Sequence, residues 1–270
     1  MKKIFFLSVL FIVLGGLNFN LWAFDHNHSE WDHLLKKHVV LIEGGNASQV
    51  NYSGFKNDHQ KLKKYLESLS SVKEAEFSSW PKDKRLAFLI NAYNAFTIDL
   101  ILTKYPQIDS IKDIGGFFSS PWKKKFIYLL GKKIHLDEIE HGIIRKKGVY
   151  DEPLIHIALV CAAIGCPALK EEAYIHEKLD GQLQEALVRF LSDRKRNRFN
   201  RLKNRLEVSS IFKWYKADFE TGARGYTSIK TFFSKNADIL ADTAEDKNKI
   251  QSMNFDINYL EYDWVLNDSN

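Results

Sequence analysis

The sequence predicts a helix-rich α+β fold in a single domain with a small antiparallel sheet. Residues 78–102 are apolar on nearly all sides from Leu86 to Leu102, which marks a central buried helix. Shorter segments repeat apolar residues at helical spacing, and only a few short runs have the character of strands. No long hydrophilic linker separates them, so residues 24–270 read as one domain.

The 45% apolar and 13% aromatic content belongs to a packed chain, not a disordered one. The formal charge is +5, and loss of Lys2 and Lys3 with the leader described next leaves about +3. Signs are mixed along the chain, which argues against a nucleic-acid partner. The run Arg194-Lys-Arg-Asn-Arg-Phe-Asn-Arg201 reads as an exposed loop, with a phosphate patch as its competitor.

Residues 1–23 read as a cleaved secretory signal peptide. Lys2 and Lys3 form the positive end, residues 4–14 the apolar core, Gly15 and Gly16 the break, and Ala23 the small residue at the cleavage site. An uncleaved anchor is the alternative, but Asn18 and Asn20 interrupt a stretch already short for a span. Export implies a periplasmic or secreted protein with no membrane span after cleavage. It also places Cys161 and Cys166, the two cysteines of the chain, in an oxidising compartment. A bridge between them is then the simplest structural reading. An i,i+5 pair in one helix could not close it, whereas a loop could.

Taken in order, residues 25–33 are histidine-rich. They lack a helical i,i+4 pairing with a carboxylate, so no metal site is expected there. Residues 39–50 read as a connector. Leu62, Tyr65, Leu66 and Leu69 give residues 57–69 a helical stripe. In the central helix Ser79 is the expected cap, Pro81 suits the first turn, and Pro106 lies just past the end. Asn91, Tyr93 and Asn94 interrupt its apolar surface; buried amides need partners, so they either tether neighbouring backbone or line a site.

Residues 126–130 and 133–135 read as two strands around Gly131. Residues 136–145 follow as a helix capped by Asp137, with His141 and Arg145 on one face and Glu140 about 100° from His141. Residues 171–190 and 209–219 read as helices, 227–240 as two helical pieces, and 205–208 and 255–264 as strands.

The apolar run before Cys161, with Gly165 and Pro167 around Cys166, suggests a strand delivering a reactive side chain to the rim of a site. A thiol, an imidazole and carboxylates within about twenty-five residues are the parts of a thiol-based site. No Gly-rich phosphate loop, CxxC or GxSxG motif occurs, and no cofactor is implied.

Five motifs together resemble the DUF547 family: Phe88-Leu-Ile-Asn-Ala-Tyr-Asn-Ala95, Leu136-Asp-Glu-Ile-Glu-His-Gly-Ile-Ile-Arg145, Ile155-His-Ile-Ala-Leu-Val-Cys-Ala-Ala-Ile-Gly-Cys-Pro-Ala-Leu169, Ser210-Ile-Phe-Lys-Trp-Tyr-Lys-Ala-Asp-Phe219 and Tyr262-Asp-Trp-Val-Leu-Asn267. The family comprises exported bacterial proteins, with relatives fused to other domains in plants and animals, and its function is not established. The resemblance implies that Asn91, Tyr93, Asn94, Glu140, His141, Arg145 and Cys161 occupy motif positions. Cys166 matches a bacterial Ser-Cys-Pro pattern in which Gly165 replaces the serine. Plant relatives can carry serine at the Cys166 position, which favours Cys161 as the essential thiol and argues against an obligatory bridge. Ala162 stands where the family commonly has glycine, which disfavours a backbone nest for an oxyanion.

The expected activity is therefore a thiol-dependent hydrolase or acyltransferase acting on amide bonds of an unidentified peptide or amide substrate. Cys161 would be the nucleophile, His141 the base and Glu140 its orienting carboxylate. Asn91, Tyr93, Asn94, Arg145, His156 and Cys166 are candidate lining residues, with Asn91 or backbone N–H groups stabilising an oxyanion. Glu and His before Cys reverse the ordinary papain or transglutaminase order and would need a circularly permuted arrangement. The alternatives are a non-catalytic envelope binding or structural module with a structural Glu-His-Arg-Asn network, a redox role for the two cysteines, and a metal site at His141, His156 and the cysteines.

Overall fold

The computed structural model describes residues 23–116 and 119–269. All of the leader except Ala23 lies outside them. The fold is α+β and helix-rich. Its organising element is the long helix Lys82–Leu102, in which every residue from Leu86 to Leu102 is buried. It meets the length and composition of a membrane span, but the surrounding protein buries it. The cap expected at Ser79 is not used. Pro81 precedes the helix, and the Ser79 hydroxyl instead donates to the Glu76 carbonyl within the preceding short helix Glu74–Ser79.

We number the elements along the chain. Helix α1 (Ser29–His38) leads into a hairpin of β1 (Val39–Ile42) and β2 (Ala47–Val50), where the sequence suggested only a connector. Gly44 and Gly45 adopt the positive φ that turns the hairpin. Helices α2 (Tyr52–Asn57), α3 (His59–Ser71) and α4 (Glu74–Ser79) then pack around the central helix α5 (Lys82–Leu102). Asp99, buried in α5, is matched by His59 and Lys63 of α3 at 3.0 and 3.1 Å.

A second hairpin, β3 (Ile127–Leu129) and β4 (Lys132–Ile134), falls where the sequence placed it. The cysteine stretch departs from expectation: it opens with a single helical turn, α6 (Ile155–Ala158), before the chain extends, so no strand carries Cys161. Helix α7 (Leu179–Ser192) begins eight residues later than the pattern suggested. Strands β5 (Arg198–Asn200) and β6 (Arg205–Val208) form an antiparallel pair. Between β6 and the last strand lie α8 (Ile211–Trp214), α9 (Ile229–Lys235), α10 (Ala237–Leu240) and α11 (Ala244–Gln251). That helical crossover lets β7 (Asp256–Tyr259) join β6 in parallel, a pairing a short turn could not make. Among the described residues the sheets are thus two hairpins and one mixed three-stranded sheet.

The histidine-rich start of the chain is packed. His28 bonds the Tyr65 hydroxyl at 2.7 Å, and His26 sits edge-on to Trp80. The basic run is engaged internally: Arg194 bonds Asp242, Arg196 bonds Asp193, Arg198 bonds Glu207 and Arg201 bonds Asp246. These ion pairs, and the strand β5 within the run, stand in place of the exposed loop that the sequence suggested.

Candidate active site

Six segments meet at a cavity of about 300 Å³. They are α5, the turn at Trp122, the helical turn before Arg145, α6 with the cysteine loop that follows it, α8 with Tyr215, and the C-terminal stretch after β7. Helix α5 positions the loop through two buried amides. Asn94 donates to the Ala158 carbonyl at 2.9 Å and accepts the Val160 N–H at 3.0 Å, so it grips the backbone on the approach to Cys161. Asn91 makes the same paired contact with the backbone of Tyr174, at 2.7 and 3.0 Å. Both amides are tethers, and Asn91 is buried and does not line the cavity, which corrects its expected role as an oxyanion donor.

The cysteine loop is held from the other side. Ile164 and Gly165 donate to the carbonyls of Val265 and Asp263, both at 2.8 Å, and Asn267 donates to Ala162. Gly165 is needed here, because a Cβ would meet the Asp263 carbonyl at 2.9 Å and its nitrogen at 3.0 Å. Ala162 turns the chain with φ +60°, a conformation that favours glycine. This packing brings Tyr262 over both sulfurs. Its hydroxyl lies 2.9 Å from Cys161 Sγ and 3.1 Å from Cys166 Sγ. The thiols are free and adjacent, and Cys166 Sγ accepts the Cys161 N–H at 2.9 Å.

That arrangement separates the two thiols chemically. Burial works against ionisation of Cys166, but the donors aimed at its sulfur outweigh it and bring the group down to about 7. Cys161 is pushed well up, first by its hydrogen bond to Cys166 and then by burial. Cys166 is nearly sealed, whereas Cys161 is half-buried and faces the cavity.

Glu140 and His141 lie on a π-helical segment, Glu138–Ile144, closed by the Arg145 N–H donating to the Glu140 carbonyl five residues back at 2.8 Å. The sequence suggested an ordinary α-helix capped by Asp137. The side chain that caps the first turn is His135, whose Nδ1 accepts the Glu138 N–H at 2.9 Å, and Asp137 lines the cavity instead. The wider turn gives adjacent Glu140 and His141 a common outlook on the cavity. His141 Nε2 lies 3.8 Å from Glu140 Oε1.

His156, in α6, is 3% exposed. Its Nε2 meets Asp218 Oδ2 at 2.7 Å, and its Nδ1 lies 3.9 Å from Glu140 Oε1. Tyr215 stacks on its ring with centroids 3.6 Å apart. Arg145 grips Asp218 in bidentate fashion at 2.6 and 3.1 Å and also donates to Nδ1 of His141. Burial lowers His156 below the ordinary imidazole range despite the pull of Asp218 and Glu140. Burial alone would raise Asp218, but hydrogen bonds from His156 and Arg145 hold it below the ordinary carboxylate range.

Of the residues expected at the site, Tyr93, Glu140, His141, His156, Cys161 and Cys166 line the cavity. Arg145 stands behind it, and Asn91 and Asn94 support it from α5. Sequence reasoning missed Asp218, Tyr215 and Tyr262, although each sits inside a quoted motif. It also missed the tryptophan rim of Trp122, Trp214 and Trp264. Among the described residues, no group of three histidine, cysteine or acidic side chains is arranged to hold a metal ion.

Comparison with known proteins returns one family. Residues 77–191 match the model of DUF547, a protein family of unknown function. The match includes Tyr93, Glu140, His141, His156 and both cysteines, while Asp218, Tyr215 and Tyr262 lie beyond it. No curated protein and no solved structure matches the chain.

Proposed function

We propose that this chain, with its DUF547 region at residues 77–191, is a thiol-dependent acyl-transfer enzyme acting on amide bonds. The observation that carries the reading is a free, cavity-facing Cys161 in one pocket with His141, His156 and Glu140.

The tautomers favour His156 as the base over His141, the residue expected from sequence. A guanidinium can only donate, so Arg145 occupies the Nδ1 lone pair of His141 and leaves an Nε2–H facing Glu140. Asp218, held ionised, takes the Nε2–H of His156. That leaves Nδ1 of His156 as the free lone pair, on a neutral ring oriented by a carboxylate.

In the reaction, Nδ1 of His156 takes the Cys161 thiol proton as Sγ attacks the amide carbonyl carbon. Tyr93 reaches the cavity with a hydroxyl that bonds no other described residue, and burial keeps it protonated, so it replaces Asn91 as oxyanion donor. The proton then passes from His156 to the leaving amine, and the thioester is resolved by water or by an acceptor amine. In chain order these groups run His156, Cys161 and Asp218, an order that no circular permutation of the papain sequence of cysteine, histidine and asparagine produces, so the permuted arrangement expected from sequence is not part of the proposal. Export of the protein to the periplasm or medium is part of the proposal and rests on residues 1–23.

A second reading, a non-catalytic binding module, is favoured by one observation. Cys161 Sγ is bonded to Tyr262 and Cys166, and no imidazole donates to or accepts from it in this state. Acylation by p-nitrophenyl acetate, followed by mass spectrometry of intact protein, separates the two. The enzyme reading expects a thioester on Cys161, absent in Cys161→Ala and formed about 10²-fold or more slowly in His156→Ala. Labelling no faster than that of a free thiol, and unchanged in His156→Ala, would leave only the binding module.

A further inference from the structure

The cavity contains a buried acidic group that is only half satisfied: the Tyr215 hydroxyl hydrogen-bonds the Glu140 carboxylate, and one carboxylate oxygen is left over. Glu140 is 6% exposed, and its Oε1 has no hydrogen-bond partner. The imidazole nitrogens nearest to it, on His141 and His156, are 3.8 and 3.9 Å away, beyond direct hydrogen bonding. A buried carboxylate oxygen left unpaired is costly, and natural sites fill such a position with a donor. Asp137 also lines the cavity and forms no ion pair or hydrogen bond with a described residue. Among the described residues, no lysine or arginine lines it. The cations nearby are already committed, Arg145 to Asp218 and His141, and Lys112 to the outer aromatic Trp264, 3.7 Å above its ring centroid.

The walls around these two carboxyl groups are aromatic: Tyr93, Trp122, Trp214, Tyr215, Tyr262 and Trp264. Three of the rings form a continuous shelf. Trp214 and Trp264 stack at 5.8 Å, and Tyr262 lies 4.9 and 4.6 Å from them. Trp214 is 48% exposed, so the shelf opens to solvent. Electron-rich ring faces around carboxyl groups that lack a cationic partner within hydrogen-bonding distance attract an organic cation and repel an anion. A buried group that must be paired also gives more discrimination than the apolar walls alone.

We propose that the cavity recognises a primary ammonium group, so that the substrate is an amine-bearing amide, with its –NH₃⁺ seated at Glu140 and its alkyl portion on the tryptophan shelf. This deepens the acyl-transfer reading by naming its substrate class. The ammonium supplies the donor that Glu140 Oε1 lacks, and Asp137 adds a second negative charge along the way in.

The test is equilibrium binding to the full chain carrying Cys161→Ser, followed by the fluorescence of the rim tryptophans. The probes are n-butylammonium, n-butanol and butyrate. Because this variant lacks the Cys161 thiol and none of the probes donates an acyl group, the result is independent of whether Cys161 performs chemistry, and the acylation assay judges that separately. The proposal expects n-butylammonium to bind at least 10-fold more tightly than n-butanol, with butyrate weakest. Glu140→Gln should abolish that preference, and Asp137→Asn, at a half-buried and partner-free position, should reduce it several-fold even if Glu140→Gln fails to fold. Equal binding of ammonium and alcohol, preference for butyrate, or binding of no probe would each overturn the proposal. Retention of the full ammonium preference in Asp137→Asn together with Glu140→Gln would do so as well.

Discussion

Nε2 of His156 meets Oδ2 of Asp218 at 2.7 Å across 62 residues of chain, with Tyr215 stacked on the imidazole. Asp218 is in turn held by both arms of Arg145. One carboxylate therefore sets the tautomer of the buried imidazole and locks the π-helical turn against α8 and the segment after it.

Asp218→Asn should separate orientation from packing. The amide nearly preserves shape but removes the charge that both His156 and Arg145 use. Acylation of Cys161 should fall by about 10²–10⁴-fold. Asp218 is depressed in the folded state, so the stability it contributes is present above the ordinary carboxylate pKa of about 4 and is lost as pH falls through its lower folded value. Urea unfolding on both sides of that pH should show a smaller acid-side loss in the variant than in the parent.

The thiol pair has an ordering that can be measured. Cys166 should ionise first, near 7, because hydrogen bonds from the Cys161 side chain, the Tyr262 O–H and the backbone N–H groups around it outweigh its burial. Titration of thiolate ultraviolet absorbance in Cys161→Ser would locate that step. Tyr262→Phe removes one donor and should move it upward by about one pH unit, the equivalent of one modest hydrogen bond. An unmoved step would show that Tyr262 contributes nothing to it.

Ala162 occupies a left-handed position with φ +60°, directly after Cys161. Replacing it with glycine removes the Cβ clash of that conformation, although glycine loses more entropy on folding. The net gain should be about 0.5–1 kcal/mol, read as a rise in the urea midpoint with an unchanged slope. Ala162→Val should move the midpoint the other way.

Burial pushes His28 down to about 3, although Asp25 lies nearby. The unfolded imidazole titrates near 6.5, so the neutral form stabilises the fold above that pH, and the benefit is lost as pH falls toward the folded value. Below about pH 6 this group alone contributes a slope approaching 1.4 kcal/mol per pH unit. Asn does not titrate and tolerates the left-handed backbone at this position, where φ is 50°. His28→Asn should therefore flatten the stability profile between about pH 3 and 6; an equally steep profile would place the acid sensitivity elsewhere.

Legibility in the sequence followed the range of the interaction. The central helix, the β3–β4 hairpin, strand β6 and the helix-rich α+β class were readable because hydrophobic period and turn chemistry are local. The hairpin at Val39–Val50 was hidden by a Gly- and Asn-rich turn that also suits a connector. The α-helical reading of residues 136–145 failed because one extra residue per turn is not marked by composition, and the Arg145-to-Glu140 hydrogen bond appears only once the segment is packed.

The sequence by itself marked candidates for chemistry: two cysteines, one of them between a glycine and a proline, adjacent Glu140 and His141, and two asparagines in an otherwise apolar helix, while Asp218, Tyr215 and Tyr262 went unmarked. Only the tertiary structure decided what each does. It turned Asn91 and Asn94 into backbone tethers, left both thiols free under Tyr262, and assigned Asp218 to His156. Those decisions depend on contacts spanning 62 to 101 residues, such as His156–Asp218 and Cys161–Tyr262. Side-chain hydrogen bonds of that range leave no periodic trace in the chain, because they are fixed by how the helices and the C-terminal segment pack, not by the neighbours of each residue.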